Sequence, residues 1–330
     1  MGTRMNLKSK CEAGTFSIAV VIPAFKVRQY IDQVLSDIGD EVGIIYVVDD
    51  CCPEGSGEYV AENCKDPRVS VLNTSVNSGV GGATLTGFRK AAADGADILV
   101  KLDGDGQMNP GHIPQLVAPI VNGDADYSKG NRFYDFEMVS QMPLVRLIGN
   151  LALSFMTKMS SGYWKNFDPT NGFVAIHSKV FNQLPVEKIS KRFFFESDML
   201  FRLGTLQAVV ADVPMKAIYG NESSNLNSLK MILPFFYGHI KNFHKRIFYN
   251  YFLRDFTLAS LELVIGSIFL VFGVVFGAQK WKLSIETGVP VTSGTVMLAA
   301  LPIIVGIQML LSFFSFDISN SSSMPIHKKL

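Results

Sequence analysis

The segment 98–110 reads ILVKLDGDGQMNP. An apolar run closes on Asp103 and Asp105, with Gly104 and Gly106 between and after them and Gln107 close behind. Two carboxylates so near one another repel at neutral pH and call for a cation. Hard oxygen ligands suit Mg2+ or Mn2+, which keep several waters and share substrate phosphates instead of sitting in a full protein cage. The glycines permit a tight turn and close approach of a ligand. A calcium loop starting at Asp103 needs Gly at its sixth position and Glu at its twelfth, where this chain has Met108 and Pro114. An aspartyl-phosphate nucleophile and a plain surface turn stay open on this stretch alone. A second acidic pair, Asp49 and Asp50 in VVDDCCPEGSG, also ends an apolar run. Taken together, the two pairs point to one anion site assisted by a divalent metal.

Such a site needs elements that bring both pairs to one edge. Short apolar runs at 16–23, 43–49, 69–73, 97–103 and 208–214 read as strands, separated by amphipathic stretches such as YIDQVLSDIG and ATLTGFRKAAADG. Buried strands alternating with helices predict a mostly parallel α/β sheet. Ligands bind beyond the carboxyl ends of such strands, and Pro23, Asp49, Asp50 and Asp103 stand there. The segment NSGVGGATLTGFRKA (77–91) imitates a dinucleotide fingerprint, but its glycine spacing is wrong and it follows the third apparent strand, not the first. Its glycines read instead as a ligand-adjacent turn at a helix N-terminus.

Composition narrows the class. The 330 residues carry a formal net charge of +1 and only 18% charged residues, so there is no electrostatic footprint for nucleic acid. Cys11, Cys51, Cys52 and Cys64 show no CxxC spacing, which argues against a zinc site or disulfide scaffold. The stretch MGTRMNLKSKCEAG is polar and lacks the apolar core of a secretory leader. Mean hydropathy is +0.24, and the excess lies near the C-terminus. Residues 258–278 include one charge, Glu262, and residues 295–316 none, with Pro302 and Gln308 as irregularities. Each run is long enough to cross a bilayer core of about 30 Å, so a transmembrane hairpin is predicted. Lys241, Lys245, Arg246 and Arg254 precede it and HKKL follows, whereas the connecting loop has only Lys280 and Lys282. By the positive-inside rule both ends face the cytoplasm. Residues 226–256 mix aromatics with cations and suit interfacial helices at the headgroup level. The expected organisation is a cytosolic catalytic domain over 1–225, interfacial helices over 226–256, two spans within 257–317, and a cytosolic, disordered tail over 318–330.

The ordered set VVIPAFK, VVDDCCPEGSG, NSGVGGATLTGFRKA, LDGDGQ, KGNRF, FDPTNGF and FFFESDML resembles family 2 glycosyltransferases of the GT-A fold. The likeness is to their membrane-anchored polyisoprenyl-phosphate branch, which includes dolichol-phosphate mannose synthase, and in particular to the bacterial type with a C-terminal hairpin. It covers roughly residues 18–225, and the hairpin extends it.

The resemblance implies an α/β GT-A domain, Rossmann-like with flanking helices, a nucleotide-sugar donor and a polyisoprenyl-phosphate acceptor in the lipid bilayer. It implies an integral protein of the plasma membrane, the inner one in a bacterium, with a homo-oligomer left open. Asp103, Asp105 and Gln107 would hold Mg2+ or Mn2+ on the donor diphosphate. Pro23, Ala24, Phe25 and Asp50 would line the nucleoside, with Asp49 and Gly79. Arg132 would reach a phosphate, and Asp168 corresponds to the acidic residue near sugar and acceptor. Asp198 and Glu196 fall on an acidic helix beside the site, while Lys216 and Arg246 are candidates for the acceptor phosphate. Inversion at the anomeric carbon is implied as well. The family's usual Tyr-Asn-Glu after the first strand is replaced by Phe25-Lys26-Val27, and a usual Asp is Glu54, so the base, uridine or guanosine, stays open. Polymer-forming relatives and a catalytically silent binding scaffold are the alternatives. Two spans argue against the first, and the intact acidic motif against the second.

Overall fold

Apolar and β-branched runs build the parallel half of the sheet. In the computed structural model, which describes residues 16–134, 144–215 and 228–330, they form β1 (Ile18–Ala24), β2 (Ile44–Asp49), β3 (Val69–Asn73) and β4 (Ile98–Lys101). These pair in parallel, in the order β3-β2-β1-β4. Three further strands complete the sheet: β5 (Tyr127–Asn131), β6 (Val174–His177) and β7 (Val210–Pro214), in the order β6-β5-β7 beyond β4. Only β6 is antiparallel to its neighbours, with Lys101 opposite Val174 and Lys129 opposite the same residue. The expected α/β sheet is therefore present, with a single reversal. Two of its strands, β5 and β6, lie outside the apolar runs that the sequence marks.

Helices cover both faces: α1 (Ile31–Ser36), α2 (Ser56–Asn63), α3 (Val80–Ala93), α4 (Ile113–Val121), α5 (Leu144–Ser161), α6 (Ser178–Phe181) and α7 (Phe195–Leu206). One apolar cluster packs α1 and α4 on the sheet through Ile31, Val34, Leu116 and Ile120. A second packs α3 and α7 on the other face through Leu85, Phe88, Met199 and Leu203. The chain then forms α8 (Ser228–Phe248), a π-helical turn at Tyr249–Arg254, α9 (Leu258–Thr287) and α10 (Ser293–Ser319).

The chain divides into two compact units, residues 1–242 with 322–330, and residues 243–321. The division falls inside α8 and not at residue 225. In the second unit α9 and α10 are long and apolar enough to cross a membrane. They pack through small residues: a Cβ on Gly273 would lie 2.8 Å from the Ala299 carbonyl oxygen. Glu262 accepts a hydrogen bond of 2.9 Å from Ser312 on the facing helix.

The tail overturns the expectation of disorder. Ile326–Lys328 form a helical turn that docks at the amino end of β5, where buried Asp126 accepts from Val209 N (2.8 Å), Ile326 N and His327 N (both 2.9 Å). His327 Nδ1 lies 2.7 Å from the same carboxylate and its ring stacks on His177. A buried carboxylate with backbone donors to satisfy outweighs the entropy of a nine-residue tail (322–330).

Two consequences are measurable. Asp126→Ala strands three amide groups, so it should cost on the order of 2 kcal/mol in denaturant melts and expose the tail to carboxypeptidase trimming. His239, on α8, lies buried against Phe194 and Phe235, and burial pushes its pKa down to about 4. The folded chain then keeps the imidazole neutral where the unfolded chain takes up a proton. Stability from this packing is complete above the ordinary histidine value of 6.5 and is lost as pH falls towards 4. Urea midpoints should therefore fall from about pH 7 to about pH 5, with a flatter dependence in His239→Gln.

Candidate functional site

All the loops of interest leave one edge of the sheet. β1, β2 and β4 end there, β5 ends there in parallel with β7, and the reversed strand β6 begins there. The reversal matters, because it brings the loop before β6, containing Asp168, to the edge that presents Asp103.

At the end of β4 side chains alternate, so Lys101 and Asp103 lie on one face. Lys101 is 1% exposed. Its Nζ lies 2.7 Å from Asp103 Oδ1 and 3.4 Å from Glu196 Oε1, and it donates to the Gly172 carbonyl at 3.2 Å. Burial alone would discharge this ammonium, but Asp103 and Glu196 hold its pKa above the ordinary lysine value. Burial pushes the Glu196 carboxyl up against the opposing pull of Lys101. On the next turn Asp105 Oδ1 accepts from the Gln107 amide at 3.0 Å, and the Gln107 side chain is exposed.

This donor set fits Mg2+ or Mn2+. Among the described residues no group of three or more His, Cys, Asp or Glu side chains gathers as a closed metal cage. Asp103 and Asp105 instead offer hard oxygens on an accessible turn, the partial set that these ions take when phosphates and water complete the shell. The backbone keeps that space clear, since a Cβ on Gly172 would stand 2.7 Å from Asp103 Oδ2.

The second charged group is Arg132 with Asp168. Arg132 follows β5 and grips Asp168 with two nitrogens, Nε to Oδ2 at 2.8 Å and Nη2 to Oδ1 at 2.7 Å, while its amide donates to Oδ2 at 3.1 Å. Asp168 is 2% exposed and left-handed, with φ of 53°. Burial works against its charge, but the Arg132 hydrogen bonds and charge hold its pKa below the usual carboxylate value. A lysine buried in β5 supports the strained loop: Lys129 Nζ donates to the carbonyls of Phe167 and of Asp168 (3.0 Å) and lies 3.3 Å from Asp212. Asp212 in turn accepts from Asn166, Phe167 N and Asn131, each at 2.8 Å.

The other expected residues lie around this edge or away from it. Pro23 and Ala24 end β1 and Phe25 is exposed beyond them, beside a cleft of about 570 Å3 lined by Lys26, Arg28, Gln29, Glu54 and Tyr59. Asp49 and Asp50, expected at the nucleoside, are both buried and tied to loop donors. Asp49 accepts from Cys52 N at 2.7 Å and Gly57 N at 2.6 Å, fixing the loop into α2. Asp50 accepts from Thr74 Oγ1, from Ser78 N and Oγ, and from Gly79 N at 2.7 Å, fixing the loop into α3. Gly79 is therefore a loop partner of Asp50. Asp198 is buried and ties Ser190 N (2.8 Å), Arg202 (3.3 Å) and Asn242 (2.9 Å). Arg246, expected at the acceptor phosphate, is buried in the other unit and pairs with Asp317 through two nitrogens at 2.6 and 3.0 Å. Lys216 lies outside the described residues. Lys101, Lys129 and Asp212 are the residues missing from the sequence reading. The signal for Lys101 was present, as a lysine inside an apolar strand two residues before the acidic turn.

Comparison with known proteins decides the family. The model of "Glycosyl transferase family 2" matches residues 19–184. The chain belongs to this family. A relative from Methanococcus voltae, UDP-N-acetylglucosamine–dolichyl-phosphate N-acetylglucosaminyltransferase, is 31% identical over 61% of this chain and 86% of its own. Undecaprenyl-phosphate mannosyltransferase from Micrococcus luteus is 29% identical over 60% and 82%. Glucosyl-3-phosphoglycerate synthase from Mycobacterium tuberculosis, solved with Mn2+, UDP and glucosyl-3-phosphoglycerate, superposes with a TM-score of 0.52 at 20% identity, covering 74% of this chain and 85% of that one. That likeness concerns the fold, which is GT-A-like here too.

In this glycosyltransferase, Lys101→Met would leave Glu196 and Asp103 facing each other without their shared cation. Breaking a buried pair on one side costs about 3–5 kcal/mol. Denaturant melts of Lys101→Met, of Glu196→Gln and of the double variant should show the double variant losing less than the sum; strict additivity would remove the coupling.

Proposed function

We propose that this glycosyltransferase moves a sugar from a UDP- or GDP-linked donor to a polyisoprenyl phosphate at the cytoplasmic face of a membrane, with inversion and with help from Mg2+ or Mn2+. The observation that carries the reading is one sheet edge that presents both an acidic turn suited to a metal diphosphate and an arginine–carboxylate pair. The relatives named for transfer to dolichyl or undecaprenyl phosphate support it.

Asp103 and Asp105, with Gln107 beside them, would hold the ion. When bound it supplies Lewis-acid stabilisation of the departing nucleoside diphosphate. The loops after β1 and β2 border the nucleoside, and the Lys26, Arg28 and Glu54 cleft lies where the sequence departs from the family pattern. Arg132 keeps 30% of its side chain exposed and would draw a phosphate to the edge. Asp168, held below its usual pKa, is a weak base and acts by orienting Arg132 and the sugar. No base is needed for a phosphate monoester, which is already ionised at neutral pH. Positioning two anions that repel one another is the main task.

Membrane attachment follows from the acceptor, whose tail belongs in lipid. α9 and α10 supply two spans, and the α8 segment with its aromatics and cations lies at the headgroup level. The tail packs in the same compact unit as the sheet, which favours both ends of the hairpin lying on one side of the membrane, the cytoplasmic side by flanking charge.

Full-length protein in detergent, offered radiolabelled UDP- and GDP-sugars, undecaprenyl or dolichyl phosphate and Mg2+ or Mn2+, should form a lipid-linked sugar that chelator abolishes. Asp105→Ala should lower turnover by about a hundredfold or more, weaken Mn2+ binding seen by electron paramagnetic resonance, and melt like the parent. If no donor gives a lipid-linked product, the assignment fails.

A further inference from the structure

Helix α10 has two seams along its length. On one, Ala299 and Ile303 close on Gly273 of α9, Gly306 and Leu310 close on Gly266, and Phe313 continues the line as a fully buried side chain. The other seam is set back by two residues, which turns it about 200° around the helix, to the side away from α9. It consists of Met297, Leu301, Ile304, Gln308, Leu311 and Ser315, all of them exposed. Their steps of four, three, four, three and four residues are the heptad alternation by which paired helices interdigitate side chains.

Gln308 interrupts this apolar seam. It stands about 3 Å along the axis from the midpoint of α10, so a spanning helix holds its carboxamide near the centre of the bilayer. There the amide turns N–H donors and a carbonyl acceptor towards hydrocarbon, which offers neither in return. Other polar side chains of the hairpin are satisfied inside it: Ser312 donates to Glu262 at 2.9 Å, and Ser267 donates to the Leu263 carbonyl at 2.6 Å. Among the described residues none bonds the Gln308 side chain. It also faces away from the one helix of the hairpin that could supply a partner.

We infer that this seam docks a second copy of the chain, α10 against α10 in parallel across a two-fold axis, with the two Gln308 carboxamides bonded to each other. The occupant follows from charge complementarity. A carboxamide is complementary to itself, because its partly positive N–H group fits the partly negative oxygen of an identical one. Two copies inserted in the same sense bring these groups to the same depth, and a two-fold interface meets residue with like residue. The same symmetry sets Leu301, Ile304 and Leu311 against their counterparts above and below the amide pair. One polar residue in an otherwise apolar seam also fixes the register and the number of helices that pair. Lipid tails satisfy the apolar positions of the seam but leave the amide unpaired. The inference rests on the membrane reading of the hairpin, and its test separates the two.

A photoreactive benzoyl-phenylalanine is placed singly at Ile304 and at Leu311, with Ile268, exposed on α9, as the control outside the seam. Each full-length protein is reconstituted into vesicles of phosphatidylcholine and phosphatidylglycerol at rising lipid-to-protein ratios, floated on a density gradient and irradiated. The expected result is a covalent homodimer from Ile304 and Leu311, background at Ile268, and loss of the dimer on dilution with lipid. Leu311 carries the test if the Ile304 variant does not elute as folded protein. Adding Gln308→Leu should move the point of half-loss to a lipid-to-protein ratio roughly 3- to 30-fold lower, the range that one interhelical hydrogen bond spans in membranes. Leucine suits a spanning helix, so this variant should still float with the vesicles. Protein that floats but gives no dimer at any ratio overturns the second copy. A dimer that Gln308→Leu leaves unchanged, or one that forms from Ile268 alone, overturns the seam as its site. Protein that does not float removes the membrane reading of the hairpin, and the inference with it. None of these readouts depends on turnover, so loss of the proposed sugar transfer leaves them interpretable.

Discussion

Charge compensation inside the sheet is the constraint on which the site depends. Asp103, Glu196, Asp168 and Asp212 crowd one edge of a buried sheet, where unpaired carboxylates are costly. Two lysines that are almost wholly buried make this arrangement possible. Lys101 spans Asp103 and Glu196, and Lys129 links Asp212 to the backbone of the Asp168 loop. Each sits within a strand, so its ammonium is fixed by the sheet and not by a flexible loop. Removing one member of such a pair is more damaging than never having built it, which makes these lysines part of the scaffold of the site although neither need touch a substrate.

The second constraint is topological. A sheet of purely parallel strands would place the chain before β6 at the far edge, away from the acidic turn. Reversing β6 places Gly172 and Asp168 beside Asp103 and Arg132. The same reversal leaves His177 and Asp126 at the opposite edge, and there the tail docks. One change of strand direction therefore organises both ends of the sheet.

This explains what the sequence disclosed and what it hid. Apolar runs mark β1, β2 and β4, which are buried, and the half-buried edge strands β3 and β7, so all five were legible, as was the acidic turn after β4. β5 reads Tyr-Ser-Lys-Gly-Asn and is nonetheless fully buried. Its polar side chains are satisfied by partners distant in sequence, such as Asp212 for Asn131, and no local pattern shows that. Asp49, Asp50, Asp198 and Arg246 were recognisable as residues of consequence, but the partners that hold Asp50, Asp198 and Arg246 in place lie far away in the sequence and no local pattern names them. The tail misled for a related reason: a short polar segment has no fold of its own, and its order comes from one buried acceptor on β5.

The proposed acceptor agrees with how little basicity the site offers next to Arg132. A sugar hydroxyl attacking an anomeric carbon must lose a proton, and a carboxylate suited to take it has a raised pKa. Asp168 is the reverse case: Arg132 binds both its oxygens and keeps it ionised and weakly basic. Glu196 is raised by burial, yet it faces Lys101 on the metal side of the edge. An acceptor that arrives already ionised suits this arrangement, because it needs attraction and alignment more than deprotonation. A phosphate on a lipid meets that requirement, and a chain with two membrane-length helices is suited to meeting it at the bilayer surface. Under the proposed function, the weak base and the apolar hairpin suit one and the same acceptor.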